Sequence, residues 1–129
     1  MAIWQVIYSF LRRKSLDTLH IAHTIVDALE EKKGEDIILI DIHEIAYFAD
    51  YFVICSGTSE RMLQALADAA IDQVENKYDL DGRIEGLPND GWVLVDFGEI
   101  ILHLFYPERR DYYRLEELWS KGKVLLHLQ

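Results

Sequence analysis

Leu19, Ala22, His23, Val26 and Leu29 recur at the three- and four-residue spacing of one helix face. Ser15 or Asp17 stands ahead of them as a cap, Glu30 to Lys33 form a solvated last turn, and Gly34 stops the helix. The period then changes. Ile37 to Ile42 is a short, nearly continuous apolar run rich in β-branched residues, the pattern of a strand covered on both faces, and Tyr51 to Cys55 is a second. Ser56-Gly57-Thr58-Ser59 supplies a tight exit and a cap, Thr58 or Ser59, for a helix over Glu60 to Tyr78. Met62, Leu66, Ala69, Ala70 and Val74 are its apolar side. Asp79 to Asp90 reads mostly as loop, with a short strand around Arg83 to Glu85. Trp92 to Val95 and Ile100 to Phe105 flank the turn-type cluster Asp96-Phe97-Gly98-Glu99, which predicts a hairpin. Pro107 and Glu108 open a short charged helix that closes on Leu115 and Trp119. Val124 to Leu128 is either a terminal strand or an apolar tail.

Strands and helices in this order, without regular βαβ alternation, predict an α+β domain with a mixed β-sheet flanked by helices. The length of 129 residues is that of one domain. Residues 15–120 form its body, with an arm over 1–14 and a C-terminal tail over 121–129. The arm, MAIWQVIYSFL followed by Arg12-Arg13-Lys14, is too short to span a membrane. Its basic residues also follow the apolar part, the wrong order for a signal peptide. Trp4, Ile7 and Leu11, with Ile3 and Phe10 beside them, share a helical face suited to an interface or a partner.

A net charge of −10 argues against broad phosphate-backbone binding, which needs clustered Lys and Arg. It suits a basic protein surface, although excess carboxylates also simply keep a small domain soluble. Cys55, the single cysteine, rules out an internal disulfide and points to a reducing, cytoplasmic setting. Within an apolar run it reads as a small core residue rather than a nucleophile.

No motif makes a convincing active site. The loop before the second helix lacks the Walker glycines and lysine. Asp41 is followed by Ile42 and His43, so no Asp-x-Asp pair stands ready for divalent metal. Asp96-Phe97-Gly98 echoes the kinase tripeptide by coincidence, since Asp and Gly are what a hairpin turn needs. His20 and His23 lack further ligands at metal-binding spacing, and His103 reads as a structural histidine in a strand, with an acid/base dyad beside Asp96, Glu99 or Glu108 as the alternative. Catalytic residues, metal ligands and cofactors are therefore expected to be none.

Two stretches together carry a resemblance. GWVLVDFGEIILHLFYPERRDYYRLEELW and DIILIDIHEIAYFADYFVICSGTS, in this order and spacing, resemble the ribosomal silencing factor family, also called Iojap. The resemblance covers about Leu16 to Trp119. It implies a sheet of nucleotidyltransferase-like topology without the catalytic motif. It also implies binding to the large ribosomal subunit through one of its proteins, of the L-fourteen family, at the intersubunit face. Such binding sterically blocks joining of the small subunit and represses translation when nutrients are scarce. On this reading Trp92, Asp96, Gly98, Glu99, Glu108, Arg109, Tyr112 and Tyr113 carry the contact, and Asp41 and Asp50 stand second. Neither direct nucleic-acid readout nor a membrane is expected, and an apolar hairpin edge offers a route to a homodimer. The alternatives are a nucleotidyltransferase-like enzyme and a membrane-associated adaptor acting through residues 1–14.

Overall fold

The computed structural model describes residues 3–112 and 120–129, with residues 8–16 and 111–112 described by their backbone alone. Helix α1 spans Ile3–Glu31, strand β1 Glu35–Asp41, β2 Tyr51–Ser56 and helix α2 Glu60–Tyr78. Strand β3 spans Arg83–Leu87, and a 3-10 turn over Pro88–Asp90 leads to β4, Trp92–Asp96. Strand β5 covers Ile100–Phe105, helix α3 Pro107–Tyr112 and β6 Lys123–Leu128. The fold is α+β, built on a mixed six-stranded sheet of order β3-β4-β5-β2-β1-β6. Among the described strands only the central β2–β5 pair is parallel, with Tyr51 beside Ile100 and Ser56 beside Phe105.

Both faces of the sheet are apolar. On one, Leu39, Val53, Leu102 and Val95 pack beneath Ala22, Ile25 and Leu29 of α1 and Leu63, Leu66 and Ala70 of α2. The opposite face carries its own cluster, Ile38, Ile40, Phe52, Ile54, Ile101 and Phe105, with Trp92 and Leu94 half-buried at its margin. This explains the unbroken apolar runs of β1 and β2, since neither side of those strands faces water. All six residues of β2 are buried.

Helix α1 begins at Ile3, so Ser15 and Asp17 lie inside it rather than capping it. Residues 3–14 contain neither Gly nor Pro, so nothing upstream breaks the helix, and an internal Ser or Asp is only mildly unfavourable. The expected boundary after residue 14 is therefore crossed by continuous helix. At the other end the left-handed residue is Lys33, at φ 63, not Gly34. Gly34 closes the turn by donating its N–H to the Leu29 carbonyl at 2.8 Å. Its lack of a side chain serves packing instead, because a Cβ there would meet Cys55 Sγ at 2.5 Å. Ser59 is the cap of α2, accepting from the Met62 N–H at 3.1 Å. Residues 123–128, read as either strand or tail, form the edge strand β6 against β1. The expected helix end at Leu115 and Trp119 lies outside the described residues.

Candidate partner-binding surface

One end of the sheet gathers four carboxylates. Asp96 ends β4, Ile100 begins β5, Tyr51 begins β2 and Asp41 ends β1, and the register places these positions side by side. Asp50 and Glu99 sit immediately before Tyr51 and Ile100. The resulting acidic rim, Asp96-Glu99-Asp50-Asp41, crosses four adjacent strands, about 14 Å at ordinary strand spacing. Arg83 flanks it beyond β4 and Lys123 beyond β1.

Asp96, Glu99 and Asp41 are each positioned by a local or tertiary hydrogen bond. Asp96 Oδ1 accepts the Gly98 N–H at 2.7 Å, bending the chain so that Gly98 takes φ 93, a conformation that favours glycine. Arg83 Nη2 lies 3.5 Å from its other oxygen. Phe97 plugs the turn into the core at 3% exposure. Glu99 accepts from the Thr18 hydroxyl at 2.9 Å, and its carbonyl accepts from Asp50 N at 2.7 Å and Tyr51 N at 3.2 Å. The hairpin turn is thereby stitched to both α1 and the start of β2. Asp41 Oδ1 lies 2.5 Å from His43 Nδ1, and this contact raises the histidine pKa, first through the hydrogen bond and then through charge. Asp41, His43, Asp50 and Tyr51 line a shallow cleft beside the rim.

Trp92, Glu108, Arg109 and Tyr112 lie at the other end. Trp92 begins β4, pairing with Phe105 at the end of β5, and α3 follows directly. Four residues of extended strand separate Trp92 from Asp96, about 14 Å. The expected contact residues therefore fall into two groups at opposite ends of one hairpin. Only the β4 side chains Trp92, Leu94 and Asp96 bridge them, sharing one half-buried row. Glu108 and Arg109 are exposed. Of Tyr112 only the backbone is described, and Tyr113 lies outside the described residues.

One position departs from its surface appearance. Arg110, in a charged aromatic segment, is 4% exposed, and its Nη1 donates to the Asp36 carbonyl at 2.7 Å and Ser56 Oγ at 2.8 Å. It ties α3 to the ends of β1 and β2. No sequence signal marks this, because an arginine after Pro-Glu normally faces water. His103 is buried between Phe52, at a ring distance of 4.6 Å, and the stacked rings of Trp92 and Phe105. Burial lowers its pKa to about 4, so it is neutral at physiological pH. Trp92 Nε1 donates to its Nδ1 at 3.4 Å, which leaves the proton on Nε2. Cys55 is buried, its thiol pushed up to about 12 mainly by burial, which leaves it unreactive. Among the described residues no three His, Cys, Asp or Glu converge on a metal position.

As a class, this is a small α+β domain whose mixed sheet carries an acidic rim at one end. Residues 15–128 match the family described as "Ribosomal silencing factor during starvation". The ribosomal silencing factor of Bacillus subtilis strain 168 is 40% identical over 97 residues, 75% of this chain and 82% of that protein. A mouse relative, "Mitochondrial assembly of ribosomal large subunit protein 1", is 37% identical over 99 residues, covering 74% of this chain and 43% of the mouse protein. The crystal structure of a Chromobacterium violaceum protein, 33% identical, superposes with a TM-score of 0.74 over 79% of this chain and 85% of that one. The chain belongs to the ribosomal silencing factor family.

Proposed function

We propose that this chain binds the large ribosomal subunit through a ribosomal protein of the L-fourteen family at the intersubunit face. Bound there, it blocks joining of the small subunit and represses translation in the cytoplasm under nutrient limitation. The mechanism is steric occlusion, without a chemical step. The observation that carries the reading is the acidic rim, Asp96-Glu99-Asp50-Asp41, aligned by the sheet register of a family member. A preorganised acidic edge complements a basic protein patch and repels the phosphates around it, so charge steers the chain to protein rather than RNA. The mouse relative's name, which refers to large-subunit assembly, supports the same partner.

The half-buried row Trp92, Leu94 and Asp96 extends the rim along the margin of the second apolar face, where an aromatic anchor and a charged edge form a contact of mixed chemistry. The test is co-sedimentation of the purified chain with isolated large and small subunits at two salt concentrations. Pelleting with the large subunit alone, weakened by salt, is the expected outcome. Asp96→Lys should abolish it. Asp96→Asn keeps an acceptor for the Gly98 N–H while removing the charge, and should weaken binding with the turn intact. Equal pelleting of parent and Asp96→Lys would place the contact on another face.

A further inference from the structure

Helix α1 carries a second set of apolar side chains at its N-terminal end. Thr18, Ala22, Ile25 and Leu29 are buried against the domain. Towards the N-terminus the same helix continues, and residues 3–7 are all exposed. Ile3 is 71% exposed, Trp4 76%, Val6 54% and Ile7 44%, so four large apolar side chains in five residues stand in solvent. Scattered exposed apolar residues are ordinary, but a contiguous set marks a binding surface. In sequence, Tyr8, Phe10 and Leu11 follow, leaving Gln5 and Ser9 as the polar residues of positions 3–11.

Charge divides the chain at the same place. Residues 1–16 hold three of its 13 Lys and Arg, at Arg12, Arg13 and Lys14, and none of its 23 Asp and Glu. That segment carries +3 and the remainder −13. We infer that the α1 arm docks in the plane of an anionic lipid surface, its Ile3-Trp4-Val6-Ile7 end entering the acyl boundary and its basic turn meeting the headgroups.

The alternatives fit less well. A two-stranded coiled coil buries about two positions in seven, a narrower seam than an arm apolar at all but two of nine positions. A membrane interface accepts a broad aromatic and aliphatic face edged by Arg and Lys. No described helix is long and apolar enough to cross a membrane, so the arm lies on the surface. The acidic body opposes this contact, and distance decides the outcome. Trp4 lies fourteen residues of helix before Thr18, the first side chain on α1 described as buried against the body, about 21 Å at 1.5 Å per residue. That exceeds a Debye length of about 8 Å at physiological salt, so the repulsion reaching the arm's tip is weak. A single short amphipathic arm gives reversible binding, which leaves the chain free to exchange with its other partner.

The test is vesicle flotation of the full chain. Vesicles of phosphatidylcholine alone are compared with vesicles containing phosphatidylglycerol. The chain should float with the anionic vesicles and far less with the neutral ones. The double variant Trp4→Glu, Ile7→Glu and the double variant Arg12→Glu, Arg13→Glu should each lower the bound fraction roughly tenfold or more. Trp4 and Ile7 are exposed, so their variant should keep the parent's unfolding midpoint, and Trp4→Ala repeats the test without adding charge. No flotation, equal flotation with neutral vesicles, or flotation unaffected by the variants would overturn the inference. So would tighter binding to a ribosomal RNA fragment than to anionic vesicles, because the arm's cations would then be serving RNA phosphates.

Discussion

At the scale of single residues, two histidines respond to pH in opposite directions. His103 is neutral in its aromatic sandwich, with its folded pKa lowered from 6.5 to about 4. The unfolded chain therefore binds a proton that the folded chain refuses, and stability falls as pH drops from about 6.5 to about 4. A shift of this size corresponds to on the order of 3 kcal/mol. His103→Phe should flatten that part of the stability-against-pH curve, measured by urea unfolding at a series of pH values. An unchanged slope would mean that other groups carry the acid limb. His43 behaves the other way, since its pKa is raised by Asp41 on an exposed loop. Below that raised value it carries a positive charge beside the rim and offsets part of the acidity. Large-subunit affinity should therefore rise as pH climbs through the raised pKa of His43, and the rise should shrink in His43→Gln. A flat profile in the parent would separate His43 from the docking surface.

At the scale of elements, the turn after α1 separates two roles usually assigned to one glycine. Lys33 holds the left-handed conformation at φ 63, which an L side chain adopts at a cost of about 1 kcal/mol. Lys33→Gly should stabilise the domain by roughly that amount. Gly34→Ala should destabilise it by about 1–3 kcal/mol, because the new methyl meets the buried Cys55 sulfur. Opposite shifts in urea midpoint are the result to look for. The same elements show what was legible in sequence. Helical spacing and apolar runs located α2, β1, β2, β4 and β5 because those signals are local, whereas β3, an exposed strand with no apolar run, reads only as a short strand within a loop. The start of α1 was misplaced because a capping residue is also tolerated inside a helix whose upstream sequence lacks breakers. Arg110 escaped notice because its burial depends on Ser56 and Asp36, far away in sequence. Neither could its cost on removal be read from composition. Arg110→Ala removes the two hydrogen bonds of a buried guanidinium, whose ionic partner Asp36 is half-exposed, and should lower stability by about 1.5–3 kcal/mol.

At the scale of the molecule, the sequence supplied the acids but not their alignment. Asp41 and Asp96 are 55 residues apart and stand at the two ends of one rim only because β2 and β5 pair in parallel at the centre of the sheet. That crossover, with β3 and β4 returning as a hairpin, brings the ends of β1 and β4 and the starts of β2 and β5 to one side. A charge row built this way acts mainly before contact, by steering a basic surface towards it. The triple variant Asp41→Asn, Asp50→Asn, Asp96→Asn keeps side-chain acceptors at all three positions while removing three charges. Its association rate with the large subunit should fall by about tenfold at low salt, and the parent and variant rates should converge as salt is raised. If dissociation accelerates instead, with association unchanged, these carboxylates sit inside the contact as paired groups rather than around it as a field.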